Sequence, residues 1–209
     1  NVVLSLIGTG LLWVGWFGFN AGSAINAGAL ATSAFAATHF SAAAAALGWA
    51  GMEWLCKGKP SVLGVASGMV AGLATITPAA GFVTIPTAFC IGLTGGVVCY
   101  MAVTKLKSRF GYDDSLDVFG VHCIGSIVGM LLLGFLANPE VNPFIASTFH
   151  HDGAIVSLAD GTHQFFNQLI GVAFTATLAA ACTFVIVKIV GALVGLRVDR
   201  EDESVGLDL

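Results

Sequence analysis

Six long apolar runs limit what this chain can become more than any other feature. They cover residues 2–19, 30–55, 61–80, 83–104, 117–137 and 165–196. About 20 helical residues cover the roughly 30 Å of bilayer hydrocarbon, so each run is long enough to cross once. The sequence between the runs leaves no room for a soluble domain. Only 10% of the 209 residues are charged and 56% are hydrophobic, whereas a soluble domain has about a quarter charged. Lipid offers an open backbone no hydrogen-bond partner, so such runs fold as helices. The expected fold is all-α, a polytopic membrane bundle.

The charges test the count of spans. The eight basic residues are Lys57, Lys59, Lys105, Lys107, Arg109, Lys188, Arg197 and Arg200. They follow the second and fourth runs or gather towards and beyond the end of the sixth. The connections after the first, third and fifth runs contain none. Six crossings put those two sets on opposite sides, and the positive-inside rule places the basic set, with both ends of this chain, in the cytoplasm. Residues 1–196 then form a six-span membrane unit and 197–209 the start of a polar tail. The net charge of −4 and the absence of any basic run argue against nucleic acid. Cys56, Cys90, Cys99, Cys123 and Cys182 lie in or beside apolar runs without ligand spacing, so they read as buried thiols, with no metal and no disulfide framework. No cofactor motif and no nucleophile–base pair appears, which leaves an enzyme reading without support. The chain opens at Asn1 directly into an apolar run, pointing to a fragment, a processed product or one part of a longer protein.

Several stretches carry more than hydrophobicity. The first run ends in Trp13-Val14-Gly15-Trp16-Phe17-Gly18-Phe19-Asn20-Ala21-Gly22-Ser23. Aromatics near a span end commonly form a belt at the headgroups, while the interleaved glycines suggest backbones brought together around the rings. Gly64, Gly68 and Gly72 line one face of the third run, and Gly92, Gly95 and Gly96 repeat the theme in the fourth. Such rows let helices approach closely. Thr77-Pro78 and Ile85-Pro86 bracket a short turn. His39, in the alanine-rich second run, reads as a packing residue.

The fifth run opens with Asp117-Val118-Phe119-Gly120-Val121-His122. An imidazole at that depth is costly unless it meets a cavity, a polar partner or the bundle interior; an interhelical hydrogen bond is the alternative role. Asp117 can cap the helix, where its charge suits the dipole, a role expected of at least one among Asp113, Asp114 and Asp117. The loop from about 138 to 164 holds His150-His151-Asp152, which reads as solvated loop. The sixth run is long for an upright crossing and must tilt or project beyond Lys188.

Gly15 to Ser23, the glycine row from Gly64, Asp117 to His122 and Gly195-Leu196-Arg197 together resemble the ammonium transporter (Amt/Mep/Rh) family, most strongly its bacterial Amt channels. The likeness covers essentially the whole chain. It implies the second of two inverted five-helix repeats plus the long terminal helix, with a separate or upstream first half as partner. It also implies a homotrimer in the plasma (inner) membrane with a cytoplasmic C-terminus. By resemblance, Phe19 is a gate ring, Ser23 accepts a hydrogen bond from recruited ammonium, and His122 is a pore histidine that relays a proton. Asn20 and Asp117 are structural residues near the pore. Ammonium would be recruited outside, deprotonated and passed as ammonia through an apolar pore. Gly206-Leu207-Asp208 resembles the start of a tail that meets a cytoplasmic nitrogen-regulatory signal protein. The alternatives are an ammonium-binding membrane sensor with little flux, or a transporter of another small uncharged solute.

Overall fold

A computed structural model describes residues 1–142, 144–145, 150–151, 154–155 and 161–206. Within it, Asn1–Leu169 and Ile170–Leu209 form two compact units. The helices are α1 (Val2–Ala21), α2 (Ala29–Lys57), α3 (Val62–Ile76), α4 (Ile85–Met101), α5 (Lys107–Phe110), α6 (Ile124–Leu136), α7 (Gly161–Leu193) and α8 (Arg200–Val205). Two wide π turns, Ala102–Leu106 and Phe119–Cys123, precede α5 and α6. A short antiparallel pair joins β1 (His150–His151) to β2 (Ala154–Ile155); Asp152 lies outside the described residues.

Local chemistry sets the helix ends. Asn1 caps α1 by accepting from the amides of Val3 and Leu4, and Ser61 caps α3 by accepting from Gly64. Gly58, at φ +78°, ends α2 in the left-handed region that favours glycine. Helix α3 stops at Ile76, earlier than the expected 80. Pro78 supplies no amide proton, and the amides of Ala79 and Ala80 fold back onto the Ile76 carbonyl. At 15 residues, α3 covers only about 22 Å. Five other helical stretches among the described residues are long and apolar enough to cross a bilayer, whereas α3 is a shorter apolar helix with most of its residues buried.

Unit 1 is built around the alanine-rich α2. Glycines of α3 press on one side of it: a Cβ at Gly68 would stand 2.7 Å from the Trp49 Cβ, and one at Gly72 would stand 2.6 Å from both the Ala45 Cβ and the Ser41 carbonyl. Gly92 and Gly96 of α4 meet the Ser41 and Ala45 backbone from another side. The Ser41 hydroxyl donates to the Gly72 carbonyl at 2.9 Å. On the first side rising α3 numbers meet falling α2 numbers, whereas on the second both rise. Helix α3 is therefore antiparallel to α2, and α4 is parallel to it. Gly125 and Gly129 of α6 follow Ala71, Thr75 and Pro78 in ascending order, so α6 is parallel to α3. Helix α1 meets α2 in descending order, through Trp13 with His39 and Phe17 with Phe35. Successive long elements thus alternate in direction, which brings the basic connections after α2 and α4 to one end of unit 1.

Two apolar clusters fill the spaces between these helices. Ala37, Ile76, Ala79, Val83, Ala88, Ile91 and Leu133 form one; Trp49, Ala71, Cys99, Tyr100 and Val121 form the other. At the basic end, buried Glu53 accepts from the Ser61 amide at 2.7 Å and pairs with Lys57 at 3.3 Å. In unit 2, Leu196 folds against Gly191, and Arg197 reaches Glu203 of α8.

Candidate functional site

The end of α1 is pinned from behind and open in front. Buried Asn20 donates through Nδ2 to the Thr38 hydroxyl at 3.0 Å, and Thr38 donates to the Ala34 carbonyl at 2.7 Å. With Asn20 turned inward, Phe19 points out and is 63% exposed. One helical turn later, exposed Ser23 sits on the short 3-10 turn Gly22–Ala24 and donates to the Phe19 carbonyl at 2.7 Å. Its proton is thereby committed, and the oxygen lone pairs remain able to accept from a cationic donor.

Below Phe19 the α1 face carries an apolar groove of about 570 Å³ lined by Gly8, Leu11, Leu12, Gly15, Trp16 and Phe19. A Cβ at Gly15, Gly18 or Gly22 would meet nothing within 4 Å. The interleaved glycines therefore do not bring backbones of this chain's described residues together, contrary to expectation, and they leave the face open. Trp16 does not behave as a headgroup anchor either. Its Nε1 donates to the Thr77 hydroxyl at 2.8 Å, and its ring meets Phe19 edge-on with centroids 5.8 Å apart. The same indole lies nearly parallel to His122, at 16° and 6.4 Å between centroids.

His122 reaches this position from the π turn Phe119–Cys123. Close packing supports the turn, since a Cβ at Gly120 would stand 2.6 Å from Val103 Cγ2 of the other π turn. The Asp114 carboxylate caps the turn's start by accepting from the Val118 and Phe119 amides, both at 2.9 Å. Capping thus falls to Asp114, not to the Asp117 side chain. Asp117 takes a left-handed backbone, φ +56°, and its carboxylate pairs with Lys107 at 2.7 Å. Lys107 also donates to the Asp114 carbonyl at 2.6 Å, tying α5 to the base of the turn that carries His122.

Ser23, Phe19, Trp16 and His122 therefore follow one another along a single open face. The helix directions place Ser23 towards the end opposite the basic connections and His122 towards the basic end. Asn20 and Asp117 stand outside this line, one behind Phe19 and one beneath His122. His39 is elsewhere, among the rings of Trp13, Phe17 and Phe40 at 5.3–6.2 Å. The side chains of His150 and His151 and residues Leu207–Leu209 lie outside the described residues. The line offers a hydroxyl acceptor, aromatic faces that attract a cation, an apolar wall and an imidazole that can carry a proton. Sequence reasoning did not single out Trp16 or Thr77, and neither π turn has a compositional signature.

The model of the Ammonium Transporter Family matches residues 1–209 of this chain. The chain belongs to the ammonium transporter family. A putative ammonium transporter of Methanothermobacter thermautotrophicus is 49% identical over 205 residues, covering 98% of this chain and 49% of the relative. The ammonium transporter of Bacillus subtilis is 43% identical over 210 residues, covering 100% and 50%. The chain thus spans about half the length of these curated relatives. Among solved structures, Saccharomyces cerevisiae Mep2 superimposes with a TM-score of 0.83 at 33% identity, covering 96% of this chain and 44% of that one. A structure described as a sensor Amt protein gives 0.88 at 25% identity, covering 100% and 49%. These relatives and the apolar helices make this a multi-pass membrane protein.

Proposed function

We propose that this chain supplies one half of a conduit that carries ammonium-derived nitrogen across the plasma membrane. The observation that carries the reading is the ordered line Ser23, Phe19, Trp16 and His122 on an open apolar groove. Ser23 accepts a hydrogen bond from ammonium at the outer end, and the aromatic faces add a cation–π attraction of about 0.5–2 kcal/mol. Taking the bare cation through an apolar wall is prohibitive, so deprotonation precedes passage and ammonia moves past Phe19 and Trp16. His122 relays the proton or holds the hydrogen-bond chain in the narrow section. The open α1 face is where a first half, upstream in the same polypeptide or a separate chain, closes the lumen. Lys57, Lys59, Lys105, Lys107 and Arg109 lie on the cytoplasmic side, as does the C-terminal tail, which contacts a nitrogen-regulatory signal protein. Three such units assemble as a homotrimer.

The test is uptake of labelled methylammonium by uptake-deficient cells producing the intact protein, alone and with Phe19→Ala, Ser23→Ala or His122→Ala. The reading expects Ser23→Ala to raise the half-saturating concentration and His122→Ala to change flux or selectivity. Unchanged uptake and selectivity in His122→Ala would remove that residue from the mechanism. The likeness to a sensor Amt structure supports a second reading, a module that binds ammonium and signals with little flux. Proteoliposomes that bind methylammonium without accumulating it would favour the sensor.

A further inference from the structure

Three contacts converge on the indole of Trp16, and only one is a hydrogen bond. Its Nε1 donates to Thr77 Oγ1 at 2.8 Å, and its ring meets Phe19 edge-on and lies nearly parallel to His122. Both ring separations, 5.8 and 6.4 Å, fall within the 4.5–7 Å range of interacting aromatics, yet neither fixes a rotamer alone. The hydrogen bond does, because it is directional and its acceptor is held in place. The Thr77 hydroxyl donates to the Leu73 carbonyl of its own helix at 2.7 Å. With its proton committed there, an oxygen lone pair faces the indole. Thr77 follows the last residue of α3, just before Pro78, so the acceptor stands on the buried helix and not on a free loop.

We propose that Thr77 is a positioning residue which, through Trp16, sets the ring plane of His122 and its spacing from Phe19, so that the outer ring and the inner imidazole present one continuous wall to the permeant species. The inference rests on the transport reading and deepens it. A bracing contact between α1 and α3 is the competing account, and the two make different demands. Bracing needs only that the helices stay together, so its loss lowers stability. Positioning needs the indole orientation, so its loss slows passage while recruitment at Ser23 continues.

The experiment compares Thr77→Val, Thr77→Ser and Trp16→Phe in the intact protein in proteoliposomes. Initial rates of labelled methylammonium uptake are measured against concentration. Ultraviolet resonance Raman spectra report indole N–H hydrogen bonding as the Thr77→Val minus wild-type difference. Thr77→Val keeps the side-chain shape and removes the acceptor, Thr77→Ser restores it, and Trp16→Phe removes the donor. The expected result is a fall in maximal rate of about fivefold in Thr77→Val and Trp16→Phe, the size of one neutral hydrogen bond. The half-saturating concentration stays within about twofold and Thr77→Ser within about twofold of wild type. The difference spectrum shows one indole losing its acceptor. A wild-type maximal rate in Thr77→Val overturns the proposal, as does a Thr77→Ser protein as slow as Thr77→Val. Earlier thermal unfolding of Thr77→Val with wild-type flux in Trp16→Phe identifies bracing and also overturns it. If the wild-type protein carries no flux, the transport reading fails by itself. The Raman difference then decides the strut, and an unchanged indole band refutes it.

Discussion

Replacing Gly72 by alanine tests the closest packing in unit 1, and the structure sets the size of the effect. The added Cβ would stand 2.6 Å from the Ala45 Cβ and the Ser41 carbonyl and 2.8 Å from the Ala42 Cα. Ordinary contact begins at 3.4 Å, so α2 and α3 must part by about 0.8 Å. The neighbours are backbone and a short side chain, and no flexible side-chain end is there to swing away. That displacement stretches the Ser41 to Gly72 hydrogen bond, 2.9 Å at rest, beyond a useful length. Overpacking of this kind costs about 1–3 kcal/mol and the strained hydrogen bond about 1 kcal/mol more. The combined loss of about 2–4 kcal/mol corresponds to about 4–16 °C in a chain of this size. The assay is thermal unfolding of the purified protein in detergent, followed by loss of the monodisperse peak. Gly51→Ala is the control, because its Cβ would meet nothing within 4 Å while alanine is the better helix former. Gly72→Ala melting at or above Gly51→Ala would refute the close approach of α2 and α3.

Three further outcomes follow from the same geometry. Asn20→Leu removes the donor to buried Thr38 and should cost about 1 kcal/mol, read as a thermal shift of a few degrees with Phe19 still present. Lys107→Met unlocks Asp117 and the Asp114 carbonyl. The pair is partly exposed, so the stability change stays at about 1 kcal/mol or less, but hydrogen exchange should quicken at the amides of residues 118–123; unchanged protection there would deny Lys107 a part in holding the turn. In the tail, the hydrogen bond from Arg197 holds the Glu203 carboxyl below its ordinary value of 4.5. A depressed folded-state value means that the contact is present above 4.5 and lost as pH falls through the lower one. An NMR titration of Glu203 should show a low midpoint that Arg197→Gln raises to the ordinary range.

Much of this architecture was legible because lipid leaves few alternatives. Apolar length fixed the helices to within a few residues in most cases, and the basic connections after α2 and α4 do share one end of the unit. The glycine rows of α3 and α4 marked where α2 would be gripped, since a four-residue spacing puts small residues on one face. Phe19, Ser23 and His122 came from motif resemblance, and the structure sets them along one face with Trp16 between them. Trp16 was harder to read. A tryptophan near a span end has the same composition whether it faces headgroups or stacks on an imidazole, and only the Thr77 acceptor separates the two. Thr77 looked like part of a turn because Pro78 follows it. The π turn at Phe119–Cys123 was invisible because one wide turn barely disturbs hydrophobic periodicity. Three acids within five residues could not reveal that Asp114 caps while Asp117 pairs with Lys107. The ending of α3 at Ile76 depends on where the amides after Pro78 turn back, which spacing alone does not encode.

The central claim is that the Ser23, Phe19, Trp16 and His122 face borders a lumen. An electron cryo-microscopy map of the intact protein in lipid, recorded with and without methylammonium, tests it directly. The account predicts a continuous narrow passage with the His122 ring on its wall, Phe19 and Ser23 along the same axis, and added density beside Ser23 when the ligand is present. A map in which His122 turns into a helix contact or faces acyl chains, with Phe19 and Ser23 off any common passage, would contradict it.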